Sequence, residues 1–315
     1  MLKWALSLWQ TDRVGDQSRP RCPICGNDEQ SLRYQITRFR VLCCPACRQI
    51  YLHPLPPAEE IRDMFSQLYT SGEGSVPELK SYYAYCFEDS PENPLVQLYE
   101  SWLDRIEAER APGSLLDVGC GTGLFLSVAR RRGWDPFGID DSIEATRHAR
   151  EHFGLDVWVG DFSEFQAQGR RFDAATGWDI IEHSRAPVDL LRAMRGCLAP
   201  GGVLALSTPN QRSALDLLAG AAYRLSGGRV TGPLEKFYIG QHFLYFTPDT
   251  LTRSLELAGF DVAQLLREGT DLRRLTLTRR MRLVLESLFA IARLVGLENR
   301  LFVLGKARDQ PAVSS

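Results

Sequence analysis

The sequence predicts an α/β protein, a doubly wound and largely parallel sheet, with a small cysteine-bearing unit in front of it. Three observations carry that prediction. Leu115-Leu116-Asp117-Val118-Gly119-Cys120-Gly121-Thr122-Gly123 runs from an apolar stretch through an acid into alternating glycines, and amphipathic Leu124-Phe125-Leu126 follows. That order reads as strand, tight turn and helix. Downstream, short apolar segments alternate with segments of helical period, the pattern of βα units on a parallel sheet. Upstream, Cys22-Pro23-Ile24-Cys25 and Cys44-Pro45-Ala46-Cys47 form two spaced cysteine pairs.

The chain has 315 residues, enough for one large domain and a small one. Its 44% hydrophobic and 24% charged residues match a globular protein. A net charge of -2 gives no global reason to expect nucleic acid, although residues 1–53 are locally basic. No apolar run is long enough to span a bilayer, and Met1 to Gln10 lacks the core and cleavage site of a signal peptide. The expected location is therefore cytoplasmic, where the eight cysteines stay reduced and serve as metal ligands or core. Met1 to Trp9 has the pattern of a short amphipathic helix, suited to packing or to a membrane interface.

Residues 1–57 read as a zinc ribbon. The two pairs stand eighteen residues apart, the spacing of a four-thiolate zinc site on Cys22, Cys25, Cys44 and Cys47. Each C-x-x-C knuckle aims two thiolates at one centre, and Gly26 permits the turn after the second ligand. Leu32 to Val41 should supply a strand pair. Four thiolates fill the coordination sphere, so this zinc is structural and not catalytic. Cys43 and His53 are left out of that geometry. Proline-rich Pro54 to Pro57 marks the boundary, and residues 58–112 read as a helical connector and cap, including a helix over 58–70 and another from Pro94 to Glu109.

Residues 113–308 carry the main domain. Helices are expected at Leu124–Arg132, Ile143–His152, Pro187–Cys197 and Pro248–Ala258. Strands are expected ending at Asp140 and over Leu155–Val159, Phe172–Gly177 and Val203–Ser207. The glycine spacing narrows the ligand. A dinucleotide fingerprint places Gly where this chain has Leu124; here the pattern is G-x-G-x-G on Gly119, Gly121 and Gly123. The carboxylate of Asp117 at the strand end would repel a pyrophosphate and attract an ammonium. Such a site suits a cationic or zwitterionic ligand.

The glycine stretch resembles motif I of class I S-adenosylmethionine (SAM)-dependent methyltransferases. The likeness extends through Phe137-Gly138-Ile139-Asp140, Val159-Gly160-Asp161-Phe162, Phe172-Asp173, Glu182-His183 and Leu198-Ala199-Pro200-Gly201-Gly202. It implies a Rossmann-like seven-stranded sheet whose last strand is antiparallel, with Phe260–Arg267 and Leu301–Ala307 as the closing hairpin. It also implies cofactor-binding roles: Asp140, not Asp141, for the ribose hydroxyls, Asp161 for the adenine amino group with Phe162 beside it, and Trp178 near the sulfonium. No Asp/Asn-Pro-Pro-Tyr/Phe stretch follows the fourth strand, which counts against the amino-methylating nucleic-acid enzymes. Glu182-His183 resembles the pair found in small-molecule methyltransferases, including ubiquinone-pathway O-methyltransferases. His183 is a candidate general base. The alternatives are a loop-fixing histidine and a metal site with Asp179 and Glu182.

Residues 211–247 are too long for an ordinary connection and read as an acceptor lid, with a helix at Ala214–Leu225 and flexible Ser226-Gly227-Gly228. Gln241-His242-Phe243-Leu244-Tyr245-Phe246-Thr247-Pro248 resembles a stretch of methyltransferases associated with bacterial polysaccharide and lipid-linked glycan synthesis, making His242 a second candidate base. The insert 272–299 has helical pattern over Leu272–Leu297, with arginines among Leu, Met, Phe and Ile. Such a helix suits a membrane surface, a partner, or packing with solvated arginines. Residues 309–315 are a polar tail. The expected activity is methylation of a sugar, lipid-linked glycan or other polar small molecule, by preference at oxygen. An RNA methyltransferase with an RNA-holding ribbon and a non-catalytic SAM-binding scaffold are the alternatives. Nothing in the sequence fixes the oligomeric state.

Overall fold

The computed structural model describes residues 20–56, 84–160, 162, 165 and 170–308. The expected helices over 1–9 and 58–70, Asp161 and the tail lie outside the described residues. Two sheets organise the chain. The larger has seven strands: β4 (Ser114–Val118), β5 (Asp135–Asp140), β6 (Asp156–Val159), β7 (Phe172–Trp178), β8 (Leu198–Pro209), β10 (Phe260–Glu268) and β11 (Arg300–Ala307). Their order across the sheet is β10-β11-β8-β7-β4-β5-β6. The pairs of β4 with β5 and β7, β5 with β6, and β7 with β8 are parallel. β11 is antiparallel to both neighbours. The sheet and its reversed final strand are those implied by the motifs. From β4 the chain winds outward to β5 and β6, then returns to place β7 on β4's other side. That reversal opens a crevice at the strands' carboxyl ends, where ligands bind in such sheets.

Alternation along β4 divides its side chains between two cores. Leu115 packs with Leu126, Val128 and Trp134 on one face, and Leu116 and Val118 with Phe137, Ile139 and Leu206 on the other. The first face is covered by α1 (Pro94–Glu107) and α2 (Leu124–Arg131). Pro94 opens α1 at a position where its missing N–H costs nothing, and the Asn93 side chain accepts from the Leu95 N–H at 2.8 Å. α3 (Ile143–Phe153) is capped by Ser142 and ended by Gly154. α4 (Pro187–Cys197) and α6 (Pro248–Leu257) pack together, and Thr247 and Thr250 form a reciprocal capping box on α6. β8 is longer than the five residues expected, because it pairs on one side with β7 and on the other with β11.

The smaller sheet is antiparallel: β1 (Ser31–Gln35), β2 (Arg40–Cys43) and β3 (Ile50–His53), joined by the two-residue β9 (Leu244–Tyr245) from the expected lid. α5 (Ala214–Leu225) occupies the bounds expected for the lid helix. The insert differs from the continuous helix expected over Leu272–Leu297. A 3-10 turn at Leu272–Arg274 is followed by extended backbone, and α7 (Arg279–Val295) starts only where Thr278 caps it, accepting from the Met281 N–H at 3.3 Å. Thr276 and Thr278 disfavour a continuous helix there, and Gly296, at φ 69°, ends it.

Candidate active site

The turn after β4 is built from backbone. The Gly119 and Cys120 N–H groups both donate to the Ile139 carbonyl, at 2.8 and 3.1 Å, binding the turn to the end of β5. Gly119 and Gly123 have φ of 74° and 83°, left-handed values that favour glycine. A Cβ at Gly119 would lie 2.6 Å from Ile180 Cγ2, and one at Gly123 would lie 2.7 Å from both Ala149 and Leu155. At these two positions, then, the missing side chains serve the protein's own packing as well as the backbone fold. α2 starts directly from Gly123 without a side-chain cap, so its first N–H groups face the turn.

One carboxylate bonds to this turn and a second lies on the strand that leads into it. Asp140 Oδ2 accepts from the Gly121 N–H at 2.8 Å and Oδ1 from the Ser142 N–H at 2.9 Å. Each oxygen keeps a further lone pair, so both can still accept from a diol. Asp117 is 1% exposed, and its Oδ1 accepts from Thr176 Oγ1 at 2.7 Å. Burial, opposed by Thr176 and reinforced by the Asp140 charge, raises its pKa to about 7. A cationic ligand would offset that cost. A bare left-handed turn, a helix start and two acids fit an adenosyl sulfonium with an amino-acid tail.

The opposite wall is formed by the ends of β7 and β8. Trp178 stacks on Trp102, with ring centroids 4.4 Å apart, and meets Phe125 edge-on; its buried Nε1–H has no partner among the described residues. The indole is therefore fixed by aromatic packing and has one donor to spare. Asp179 adopts φ 55°, uncommon for a residue other than glycine. It is held there by its N–H to the Ser207 carbonyl at 3.0 Å and by Arg300 Nη2, 2.6 Å from Oδ1. The neighbouring Glu182 is 1% exposed. Its Oε2 accepts from Thr208 Oγ1 at 2.8 Å, and its pKa rises to about 8, first by burial and then by the charge of Asp179.

The two candidate bases, 59 positions apart in sequence, converge here. His183 and His242 meet edge to face with centroids 4.8 Å apart. One ring nitrogen of each and a Glu182 carboxylate oxygen lie within 4.8 Å of one another. His183 Nδ1 is 2.6 Å from the Gln241 carbonyl, so this nitrogen carries the hydrogen and donates it in a bond to that oxygen. Burial lowers the pKa of both rings, that of His242 further because His183 and Arg300 add positive charge around it. Both rings are neutral at physiological pH. Phe162 is buried in the core beneath β4 and β5, so its ring contributes packing. Asp173, from the Phe172-Asp173 motif, sits at the opposite end of the sheet, accepting from Ser114 and pairing with Arg110.

The four sequence-selected cysteines come together. Sγ of Cys22 and Cys47 are 3.4 Å apart, and those of Cys25 and Cys44 3.6 Å. Four thiolates bound to zinc at about 2.3 Å have S–S edges of about 3.8 Å, so the cluster fits tetrahedral zinc. The knuckles match: Gly26 N–H donates to the Cys22 carbonyl and Arg48 N–H to that of Cys44, each at 2.9 Å and each residue left-handed. Cys43 Sγ turns instead to the Cys44 and Arg48 carbonyls.

Sheet order, glycine turn and acids together define the class I SAM-dependent methyltransferase fold. A family model described as a methyltransferase domain matches residues 94–265, and the chain belongs to that family. A ubiquinone biosynthesis O-methyltransferase of Xanthomonas campestris is 38% identical over 145 residues, covering 43% of this chain and 61% of the relative. One from Dinoroseobacter shibae is 31% identical over 158 residues, covering 47% and 59%. The matched segment thus spans about three-fifths of these relatives. Phosphoethanolamine N-methyltransferase 2 of Haemonchus contortus, solved with S-adenosylhomocysteine, aligns with a TM-score of 0.54 at 15% identity, over 79% of this chain and 60% of that one; this is a likeness of fold.

No local pattern in the sequence announces the Asp179–Arg300–Ser207 network or the burial of Glu182. Arg300 opens the last strand, and only the antiparallel insertion of β11 beside β8 brings it to Asp179.

Proposed function

We propose that the protein transfers a methyl group from SAM to a hydroxyl oxygen of a polar small molecule, a sugar or lipid-linked glycan being the preferred class. When bound, SAM supplies a methyl carbon already activated by its sulfonium charge. What remains for the chain is alignment, exclusion of water and a place for the acceptor's proton. The observation that carries the reading is the meeting of His183 and His242 beside Asp179, at the crevice where the β7 and β8 ends face the glycine turn. In this reading Asp117, Asp140, Asp161 and the backbone of residues 119–123 and 162 hold the cofactor, with Trp178 as a wall.

The two histidines divide the work. His183 latches the lid through the Gln241 carbonyl. His242, carried by the lid itself, takes the proton; its lowered pKa keeps it in the base form. Loss of a positioned base costs about 10²- to 10⁴-fold in rate. With labelled SAM and a panel of hydroxylated acceptors, His242→Ala should lower kcat in that range while SAM affinity holds, and His183→Ala should raise the acceptor KM as well. Unchanged kcat in His242→Ala would remove it from the proton path.

The lipid-linked class and peripheral membrane contact draw support from α7. No helix of the described residues is long and apolar enough to cross a membrane. α7 instead leaves Leu283, Val284, Ile291, Leu294 and Val295 exposed beside exposed Arg279, Arg280 and Arg293. Those residues would rest on an anionic bilayer.

A further inference from the structure

We infer that the zinc ribbon is the fixed wall of the acceptor lid: zinc at Cys22, Cys25, Cys44 and Cys47 orders residues 211–247, while the cofactor crevice stands without it. The inference deepens the proposed function, on which it rests for the meaning of the lid.

Beyond α5 and a single helical turn at Gly232–Glu235, the lid's regular structure is one short strand. Its one strand, β9, is two residues long and finds its partner in the ribbon, with Ile50 opposite Tyr245 and Tyr51 opposite Leu244. The Leu52 N–H donates to the Phe243 carbonyl at 3.0 Å. Gln49, two residues after the last zinc ligand and wholly buried, donates from Nε2 to the Tyr245 carbonyl at 3.2 Å. A two-residue strand has no stability without such a partner.

A second clamp lies on α5. Arg33 Nη2 of β1 is 3.0 Å from Asp216 Oδ2, whose side chain is 2% exposed. Asp216 Oδ1 accepts from the Tyr238 hydroxyl at 2.9 Å and from Gln211 Nε2 at 2.8 Å, so one buried carboxylate gathers three segments. Around it Tyr34, Ile36 and Leu52 of the ribbon share a core with Ala219, Leu234 and Tyr238 of the lid. Without Arg33 that carboxylate would be buried with no cation, a strongly unfavourable arrangement.

The lid in turn reaches the reacting rim. Phe243 N–H donates to the Glu182 carbonyl at 2.9 Å, and the Gln241 carbonyl accepts from His183 Nδ1 at 2.6 Å. Continuous contact therefore runs from the cysteines through β3 and β9 to both histidines. The glycine turn is fastened differently: its polar contacts are to Ile139, Asp140 and the Cys86 carbonyl, none of them in the ribbon.

Hydrogen exchange by mass spectrometry tests this on zinc-loaded protein, on protein stripped by a chelator, and on Arg33→Met, with zinc content and SAM titration measured in parallel. The loaded protein should hold one zinc per chain. Stripping should speed exchange in peptides of 211–247 by roughly tenfold or more, and change exchange in 114–140 and SAM affinity by less than about twofold. Arg33→Met should keep its zinc and its SAM affinity while the lid peptides around Asp216 exchange faster. Absence of zinc, lid exchange indifferent to stripping, or crescendo loss of lid and crevice together would each overturn the inference. Failure of every form to bind SAM would sink the proposed function, and the lid exchange would still report on the ribbon.

Discussion

Asp117 and Glu182 are carboxyls that the fold holds in an uncomfortable state. Burial is the first cause in both, and it raises them to about 7 and about 8 from ordinary values of 3.8 and 4.5. A carboxyl raised in the folded state favours folding while it is protonated, and that advantage is lost as pH climbs through the folded pKa. The ligand-free protein should therefore lose melting temperature as pH rises from about 4 to 8, through both groups in the lower part of that window and chiefly through Glu182 near its upper end. Glu182→Gln keeps an acceptor for Thr208 and cannot ionise. It should flatten the upper part of that decline by several degrees, about 1–2 kcal/mol, in calorimetric scans across pH. A variant whose profile overlays the parent's would show that folding leaves the Glu182 carboxyl unshifted. A cationic ligand beside Asp117 should restore part of the loss, which links the stored cost to binding.

Among the elements, α7 stands apart: Ala292 is its one buried residue, whereas Leu294 is 85% exposed and Val284 66%. Val284, Ile291 and Val295 recur at spacings of seven and eleven residues, near whole turns, so they form one stripe. α7 touches α5, where Leu218 is 56% exposed, and the Ala214 N–H donates to the Leu297 carbonyl at 2.9 Å. The apolar face thus continues from α7 onto α5. If this face meets a membrane, the protein should sediment with vesicles containing anionic lipid and much less with neutral ones, and added salt should weaken the contact. Replacing Val284, Ile291 and Leu294 by Ser should cut vesicle binding about tenfold or more, at about 25 cal/mol per Å² of apolar surface, with SAM affinity unchanged. Equal binding by parent and variant would exclude this face. The same element shows a boundary that periodicity hides. Apolar spacing runs through Leu272 to Leu297, but the cap at Thr278 divides it.

For the whole molecule, what could be read in the sequence was what is local. The Gly119–Gly123 turn, the apolar run of β4 into Asp117, and the paired cysteines each act through neighbours within a few residues. They point to the doubly wound sheet and to the four-sulfur cluster, whereas the seven strands with a reversed last one are implied by the family resemblance. What escaped was joined at long range. Leu244 and Tyr245 have no period to announce a strand, and their partner lies nearly two hundred residues earlier. Arg33 and Asp216 give no sign in isolation that they pair, and Arg300 reaches Asp179 only because the last strand enters the sheet reversed. The histidines were visible singly, but their contact follows from the backbone at Phe243 bonding to Glu182 beyond the β7 end.

The crevice between the glycine turn and Asp140 is the centre of the account, and calorimetric titration of SAM into the parent and Asp140→Asn tests it most directly. One oxygen of the substituted side chain still accepts from backbone, so the fold should melt within a few degrees of the parent. The parent should bind one SAM per chain, and the variant should bind at least about tenfold more weakly, the scale of one charge-assisted hydrogen bond. Binding of equal strength in both, or no binding to the parent, would contradict the account.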